Sequence, residues 1–153
     1  MIHSEHKYCI YDLDGTLSDT THRVHLAQAK LWDDFHSEAH LDKPFDKIVK
    51  LLKLTAKISK NIILTGRDIK FIGQTNDWFQ VHDMSPYIHD VIMRPIGNYT
   101  PDHELKIQML DTYFGGREFV LDSIWLVIED RDRNVEAMRN IGLTVLQCCA
   151  GAY

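Results

Sequence analysis

Five short apolar runs divide the chain, at residues 8–12, 61–65, 90–93, 124–128 and 143–147. They are rich in β-branched residues, and the stretches between them repeat apolar residues at helical spacing. Short buried strands that alternate with amphipathic helices are typical of βαβ units. The pattern predicts an α/β fold, a three-layer, Rossmann-like sandwich with a mostly parallel sheet.

Four helices with one apolar face each are expected to cover this sheet. They are predicted over residues 43–58, 71–79, 100–115 and 132–141. In the first, Asp42 is placed to cap the helix and Pro44 to begin it. Gly142 is expected to end the last one.

The segment 18–41 is not needed by the sheet. Its apolar residues, at helical spacing, predict one helix followed by a polar loop. The residues that carry this pattern are Val24, Ala27, Leu31 and Phe35. Because the segment directly follows the first strand, it is expected to lie over the end of that strand as a short, cap-like insertion.

Length and composition narrow the class of protein. The chain has 153 residues, and one domain over 1–153 is expected at this size. Hydrophobic residues make up 44% and charged residues 25%, which is usual for globular proteins, and no apolar stretch reaches the ~18 residues of a membrane span. The first residues lack a secretory apolar core and there are only 3 cysteines, so a cytoplasmic location without membrane contact is predicted.

The net charge also limits the possible partners. A formal charge of −5 argues against a protein that coats nucleic acid, because such binding depends on basic surface that releases counterions. Any contact with nucleic acid is therefore expected to be local.

The run DLDGTL at residues 12–17 follows the first predicted strand directly. Two carboxylates one residue apart at a strand end can divide the work of a reaction, one attacking or binding a cation and the other handling protons. An acidic turn has the same composition, so this motif alone leaves a simple turn and a functional site open.

Three later pieces have the order and spacing of a known set of motifs. They are LTGR at 64–67, Lys106 on an amphipathic stretch, and IWLVIEDR at 124–131. Together with DLDGTL they resemble the four motifs of the haloacid dehalogenase superfamily of phosphatases. Within it the chain is most similar to the 3′-phosphatase domain of bacteriophage polynucleotide kinase, which carries a similar acidic pair, a following arginine, and a run like RNIGL at 139–143.

The resemblance implies a role for each of four catalytic residues. Asp12 is the nucleophile that becomes an aspartyl-phosphate, and Asp14 donates a proton to the leaving oxygen and later activates water. Thr65 offers its hydroxyl to a phosphoryl oxygen, and Lys106 bridges the nucleophile and the phosphoryl group. Functional groups collect at the carboxyl ends of parallel strands, and each candidate falls at such an end or at a neighbouring helix start.

A cation is needed because a carboxylate and a phosphate repel each other. Magnesium prefers octahedral oxygen coordination with few carboxylates. The predicted ligands are Asp12, Asp14 through its backbone carbonyl, and an acid from Glu129 and Asp130. Since glutamate is one methylene longer, Asp130 is assigned as the direct ligand and Glu129 as an outer or orienting group, with Asp132 as a substitute for either.

Arginines are expected to bind the substrate phosphate, because a guanidinium can hold a phosphate through two parallel hydrogen bonds. Four residues are assigned to substrate binding: Arg23, Gly66, Arg67 and Arg131. Arg94 is a weaker candidate. Among nearby aromatic residues, Tyr11, Trp32 and Tyr99 are open to two readings, stacking on a terminal base or burial in the core.

The leading hypothesis is a Mg²⁺-dependent phosphatase that removes 3′-terminal phosphate from DNA or RNA ends in repair. The first alternative is a phosphatase of free nucleotides or other small phosphoesters, and the second is a phospho-binding interaction domain without catalysis. The Gly-x-x-x-x-Gly-Lys-Ser/Thr motif of kinases does not occur in the sequence, so a separate kinase or ligase is expected to act beside this chain. The sequence does not predict an oligomeric state.

Overall fold

A computed structural model describes residues 7–151. Five parallel strands form the main sheet: β1 Tyr8–Tyr11, β4 Lys60–Asp68, β5 Asp90–Arg94, β6 Ile124–Arg131 and β7 Val145–Gly151. Their order in the sheet is β5-β4-β1-β6-β7. The predicted parallel α/β sheet is confirmed. Two short strands, β2 Ser18–Asp19 and β3 Lys43–Pro44, form a separate antiparallel pair.

The register of the sheet determines where the chain leaves its centre. Tyr11, the last residue of β1, pairs with Ile63 of β4 on one side and Ile128 of β6 on the other. The Asp12 amide continues this ladder by donating to the Ile128 carbonyl over 2.9 Å. Residues after Tyr11 therefore emerge between the carboxyl ends of two neighbouring strands.

Seven α-helices accompany the strands within residues 7–151. They are α1 Val24–Gln28, α2 Trp32–Ser37, α3 Asp46–Thr55, α4 Ile72–Val81, α5 Asp102–Phe114, α6 Arg117–Ser123 and α7 Asp132–Asn140. The longest has 13 residues, and none of the described helices has the length and apolarity to cross a membrane.

The sheet separates two apolar clusters, because successive side chains of a strand point to opposite faces. Along β1, Ile10 belongs to one cluster, and Cys9 and Tyr11 belong to the other. Helices α5 and α7 contribute to the first cluster, and α3 and α4 to the second. The three-layer arrangement predicted from the sequence follows from this alternation.

The start of α3 differs from its prediction. The helix begins at Asp46 with Phe45 before it, so Asp42 does not cap it and Pro44 does not open it. Pro44 lies in β3 instead, and the Asp42 carboxylate is held by an ion pair described below. Helix α6 was not predicted, since its seven residues are too few for a clear periodic pattern.

The single helix predicted in the segment 18–41 is also wrong. Two short helices, α1 and α2, lie there, and the expected polar loop is a 3₁₀-helix, Glu38–Leu41. The break is at Lys30, whose φ is +58°. The Leu31 amide donates to the Leu26 carbonyl and the Lys30 amide to the Ala27 carbonyl, a pairing that ends a helix with a left-handed residue.

Helix α7 ends with the same pairing, and there the left-handed residue is Gly142, with φ +103°. Glycine is the usual residue at this position because it has no Cβ to clash. The sequence therefore predicted the end at Gly142 and did not indicate the one at Lys30.

Candidate active site

The loop after β1 directs two carboxylates into one cavity. Leu13 and Leu17 are fully buried beneath it, and the Leu17 amide donates to the Leu13 carbonyl over 2.9 Å. Gly15 turns the chain with φ +89°, a left-handed conformation that favours glycine. With the leucines packed downward, Asp12 and Asp14 both line a cavity of about 710 Å³.

Lys106 of α5 binds Asp12 directly. Its ammonium nitrogen lies 2.6 Å from Asp12 Oδ1 and 2.7 Å from Glu129 Oε2. The Thr16 hydroxyl lies 3.0 Å from Asp12 Oδ2 and 3.2 Å from Asp130 Oδ1. All five of these side chains are buried. We call this group, Asp12 with Thr16, Lys106, Glu129 and Asp130, the Asp12 side of the site.

The Asp12 side has more negative than positive charge. Burial raises the pKa of Asp12, and the Glu129 carboxylate raises it further, against the opposing effect of Lys106. Burial also raises the pKa of Glu129. For Lys106, burial alone would lower the pKa, but the surrounding carboxylates outweigh burial and raise it. A further cation would relieve the remaining repulsion.

A divalent cation fits this group. Oxygen atoms of Asp12, Glu129 and Asp130 lie within 4.8 Å of one another, and all are the hard oxygen ligands that magnesium prefers. Asp132, the predicted substitute, is neither in this group nor among the residues that line the cavity, and its carboxylate accepts from Gln147 Nε2 over 2.6 Å.

Glu129 makes several hydrogen bonds of its own. Oε1 accepts from the backbone amides of Asp130 and Arg131, at 3.0 and 3.1 Å. Oε2 accepts from Asn134 Nδ2 over 3.2 Å as well as from Lys106. These contacts suit an orienting residue, and the assignment of Asp130 as the direct ligand stays a prediction.

The Asp14 side of the site consists of Asp14, Arg23, Arg67 and Asp42. Asp14 Oδ1 accepts from Nη2 of both Arg23 and Arg67, each over 2.5 Å. Burial alone would raise the pKa of Asp14, but the two guanidinium groups lower it well below its usual range. Asp14 is therefore held in its charged form.

Arg23 was predicted to bind substrate phosphate, and the structure gives it different partners. Its side chain is fully buried, with Nε and Nη2 bound to Asp42 at 2.8 and 2.6 Å and Nη1 donating to the Phe35 carbonyl. The guanidinium carbon also lies 4.0 Å from the Phe35 ring centre. Arg23 thus connects the segment 18–41 to Asp14 from inside the protein, and a direct phosphate contact stays a prediction.

The LTGR motif brings three further predicted residues to the cavity. Thr65 Oγ1 accepts from the Arg67 amide over 3.1 Å, and Arg67 Nη1 donates to Thr75 over 3.0 Å. Thr65, Gly66 and Arg67 all line the cavity. A Cβ on Gly66 would lie 1.9 Å from Asp102 Oδ1, so any larger residue here would have to displace the Asp102 carboxylate.

Arg131 and Arg94 lie at the same cavity. Arg131 Nη1 is 3.7 Å from Asp102 Oδ2. Arg94 donates to three carbonyls, those of Gly66, Asn98 and Thr100, at 2.8, 3.0 and 2.7 Å. The main contacts of Arg94 therefore connect the loop at Gly66 with the loop at residues 98–100.

Sequence reasoning missed several residues of the site. Asp42 was interpreted only as a helix cap, and Asp102, Asn134 and His36 were not assigned to the site. Asp102 lies one turn before Lys106 on α5, with 3.7 Å between Oδ2 and Nζ, and this i,i+4 spacing could have indicated the pair. Asp42 gives no local signal, because its partner Arg23 is 19 residues away. Asn134 and His36 each have one partner nearby in sequence, Glu129 and Phe35, and one that is distant, Asp102 and Phe71.

Comparison with known proteins decides the family. The family model of the polynucleotide kinase PNKP phosphatase domain matches residues 6–153. The chain belongs to this family. It is a phosphatase domain of the haloacid dehalogenase type, as the four motifs predicted. No curated protein matches the chain.

Solved structures share the fold of this PNKP-type phosphatase domain. A chain in the structure of the Pnkp1/Rnl/Hen1 RNA repair complex superposes with a TM-score of 0.80 at 23% identity, over 96% of this chain and 43% of that chain. A haloacid dehalogenase-like hydrolase from Streptococcus pneumoniae gives 0.65 at 13% identity, over 94% of this chain and 85% of that one. L-2-haloacid dehalogenase from Xanthobacter autotrophicus gives 0.62 at 11% identity, over 93% and 77%. The chain thus spans less than half of the Pnkp1-complex chain.

Proposed function

We propose that this protein is a Mg²⁺-dependent phosphomonoesterase that removes 3′-terminal phosphate from polynucleotide ends in nucleic-acid repair. The observation that carries the proposal is the convergence of Asp12, Thr65, Lys106 and Asp130 on one cavity. These residues come from four separate parts of the sequence. Membership of the PNKP phosphatase family supports the choice of a polynucleotide end as the substrate.

In the proposed reaction, a carboxylate oxygen of Asp12 attacks phosphorus, and the bond from phosphorus to the 3′ oxygen breaks. The leaving oxygen takes its proton from Asp14, which binds this proton when the like charge of the substrate phosphate lies beside it and raises its pKa. Water then attacks the aspartyl-phosphate, Asp14 takes the water proton, and inorganic phosphate leaves. The charged form of Asp14, which the two arginines favour, is the form required for this second step.

Lys106 and Thr16 keep Asp12 in place through hydrogen bonds to different carboxylate oxygens. The Thr65 hydroxyl and the Arg67 guanidinium are proposed to bind phosphoryl oxygens. Magnesium, held by Asp12, Asp130 and the Asp14 carbonyl, would neutralise the negative charge of the phosphate. Glu129 orients Lys106 and the backbone of residues 130 and 131.

A panel of substrates tests the proposal. A 3′-phosphorylated oligonucleotide, the same strand with 5′-phosphate, and a 3′-mononucleotide are compared for phosphate release with magnesium and with a chelator. We expect release from the 3′-phosphorylated strand only with magnesium, and a loss of at least ~10³-fold in Asp12→Asn. Unchanged release in Asp12→Asn would contradict the assigned site.

Magnesium binding has its own readout in thermal unfolding. Magnesium should raise the midpoint of unfolding of the wild type, because a cation that binds only the folded state stabilises it. Asp130→Asn should reduce that shift strongly. Asn is nearly the same size, so a shift that persists in this variant would argue against Asp130 as a ligand.

The charge of the chain favours a second candidate, a phosphatase of free nucleotides or other small phosphoesters. The net charge is −5, which does not favour an extended contact with a polyanion. Turnover of the mononucleotide equal to or better than that of the oligonucleotide would support this candidate. A phospho-binding domain without catalysis is the remaining alternative, and phosphate release that depends on Asp12 would exclude it.

Partners are proposed from the same resemblance. A kinase or a ligase acting beside this chain would complete the repair of an end whose 3′-phosphate has been removed, and the structural neighbour belongs to an RNA repair complex. A reducing, cytoplasmic setting is proposed as well, since Cys9, Cys148 and Cys149 are free thiols.

A further inference from the structure

The outer edge of the cavity exposes large apolar side chains. Leu31 is 48% exposed, Trp32 49% and Tyr99 94%, and all three line the same cavity as Asp12. We call Trp32 and Tyr99 the aromatic rim. Tyr11, the third aromatic residue considered from the sequence, is fully buried and hydrogen-bonds Thr55, so it is part of the core.

Trp32 is supported by ordered contacts beneath it. It is the first residue of α2, and its ring meets the Phe35 ring almost at right angles, with 6.0 Å between the ring centres. Phe35 is buried and packs on the guanidinium of Arg23. The left-handed residue Lys30 turns the chain just before Leu31 and Trp32. Trp32 is therefore exposed on a well-packed base.

Tyr99 stands on a loop that is fixed on both sides. The carbonyls of its neighbours, Asn98 and Thr100, both accept from Arg94 Nη1, and the Thr100 amide donates to Asn98 Oδ1 over 2.9 Å. Arg94 is also bound to the Gly66 carbonyl, within the LTGR motif. The same arginine thus fixes the backbone on either side of Tyr99 and the loop that carries the predicted phosphate ligands.

The charges near the rim do not suit a row of phosphates. Three acidic residues, Asp33, Asp34 and Asp68, line the cavity against two lysines, Lys30 and Lys70, and the ammonium of Lys70 lies 2.7 Å from Asp33. Positive charge is concentrated deeper in the site, on Arg67 and Lys106, which are both buried. Two buried cations and the proposed magnesium ligands thus lie at the floor of the cavity, and aromatic rings lie at its edge. This arrangement suits a terminal phosphate followed by a nucleobase.

We propose that Trp32 and Tyr99 stack on the terminal base of the 3′-phosphorylated strand, so that the site recognises one unpaired nucleotide. This rests on the proposed function. Stacking tolerates any base, because every base has an aromatic face. A base pair in a duplex has both faces covered except at the very end, so a single-stranded or overhanging 3′ end should be preferred to a recessed one.

The test combines rim variants with a substrate that lacks the base. Trp32→Ala and Tyr99→Ala are compared with Trp32→Phe and Tyr99→Phe, which keep an aromatic face. Each is assayed on a 3′-phosphorylated oligonucleotide and on the same strand with an abasic terminal nucleotide. Phe119→Ala serves as a matched control, because Phe119 is 56% exposed and is absent from the residues that line the cavity.

Each alanine variant should lose ~5- to 100-fold in kcat/KM on the normal strand, mostly through KM, the range expected for a lost base stack. The wild type should lose a similar factor when the base is removed, and the alanine variants should lose little more on that abasic strand. The phenylalanine variants should recover most of the loss seen in the alanine variants, and Phe119→Ala should stay close to the wild type. Equal losses on both strands, or none on either, would overturn the stacking proposal.

Failure of the proposed function gives a different result. If the wild type releases phosphate from neither strand, the 3′-phosphatase proposal fails, and stacking is then tested by binding. Fluorescence polarisation of the two labelled strands with the wild type and the rim variants measures this directly. Tighter binding of the strand that has its base, lost in Trp32→Ala and Tyr99→Ala, would support the rim, and equal binding of both strands would contradict it.

Discussion

Only Leu13 separates Asp12 from Asp14 in the sequence, yet the surroundings shift the pKa values of the two carboxyl groups in opposite directions. On the Asp12 side, burial and a second carboxylate raise the pKa of Asp12. On the Asp14 side, two guanidinium groups lower the pKa of Asp14 in spite of its burial. One side of the site needs another cation, and the other already has two.

The difference comes from partners that are distant in sequence. Lys106 reaches Asp12 from 94 residues away, and Arg67 reaches Asp14 from 53 residues away. The DLDGTL run places both carboxylates at the end of β1, but it does not determine their properties. Neighbours in sequence can thus take the separate roles proposed above, Asp12 as nucleophile at the proposed metal site and Asp14 as acid-base group beside arginines.

The largest effect is expected from Lys106→Met, which removes the cation bound to Asp12 and Glu129. Breaking a buried ion network should destabilise the protein by ~3–5 kcal/mol, because carboxylates are left buried without their partner. Phosphate release should fall by at least ~10³-fold, since Asp12 loses its orientation. Urea unfolding and kcat/KM are the measurements. Lys50→Met, an exposed lysine on α3, is the control and should change neither.

Arg23→Met tests the Asp14 side. The buried Asp42 loses its main partner, so we expect a loss of at least ~3 kcal/mol in stability. Because Arg67 still binds Asp14, phosphate release by the protein that remains folded should fall less than in Lys106→Met. Combining Arg23→Met with Asp42→Asn should recover part of the stability. Arg117→Met, which breaks an exposed pair with Asp111, should change the urea midpoint little.

The pH dependence of stability tests whether the arginines of the Asp14 side and burial keep His36 neutral. Burial lowers the pKa of His36 to about 4, and Arg67, Arg23 and Arg94 also lower it, against the attraction of Asp14. The unfolded chain therefore binds this proton more readily than the folded protein. Stability should fall as the pH drops below the unfolded value of ~6.5, by ~2 kcal/mol between pH 7 and 4.5.

His36→Phe should remove this part of the pH dependence, because phenylalanine keeps the ring contacts with Phe35 and Phe71 but has no proton to bind. Unfolding midpoints of the two proteins, measured from pH 7 to pH 4.5, give the comparison. Parallel curves for the wild type and the variant would mean that His36 is not buried as a neutral ring.

The smallest effect is expected from Lys30→Gly, because this change acts on backbone strain and not on the charges of either side of the site. A left-handed residue with a Cβ is strained, so glycine there should stabilise the protein by ~0.5–1 kcal/mol. Lys30→Ala keeps the Cβ and should give no such gain. Thermal unfolding compares the three proteins. Equal gains in both variants would point to the lysine charge as the cause.

The strand ends and their motifs could be predicted from sequence because the sheet is parallel. Its carboxyl ends meet at one edge, so DLDGTL, LTGR and the acidic run at 129–130 had to approach one another. The Arg23–Asp42 pair could not be predicted. Asp42 stands just before Lys43 and Pro44, which looked like a helix start, and only the pairing of β2 with β3 shows that the chain is still extended there.

The structure around the aromatic rim could not be predicted from the sequence either, because it also depends on tertiary contacts. Helix breaks are recognised from glycine and proline, and the break between α1 and α2 uses Lys30. Whether Trp32 and Tyr99 are buried or exposed depends on the angle of α2 and on the loop held by Arg94. Those features result from tertiary contacts, which periodicity does not encode.

The pairing of β2 with β3 has a consequence for protein engineering. Ser18 faces Pro44 and Asp19 faces Lys43, so the intervening polypeptide leaves and rejoins the body of the molecule at a single point. Such a stretch is a natural candidate for grafting from one phosphatase to another. Any replacement, however, must also supply an arginine in the position of Arg23. A chimera without it would leave Asp14 with only one of its two arginine partners.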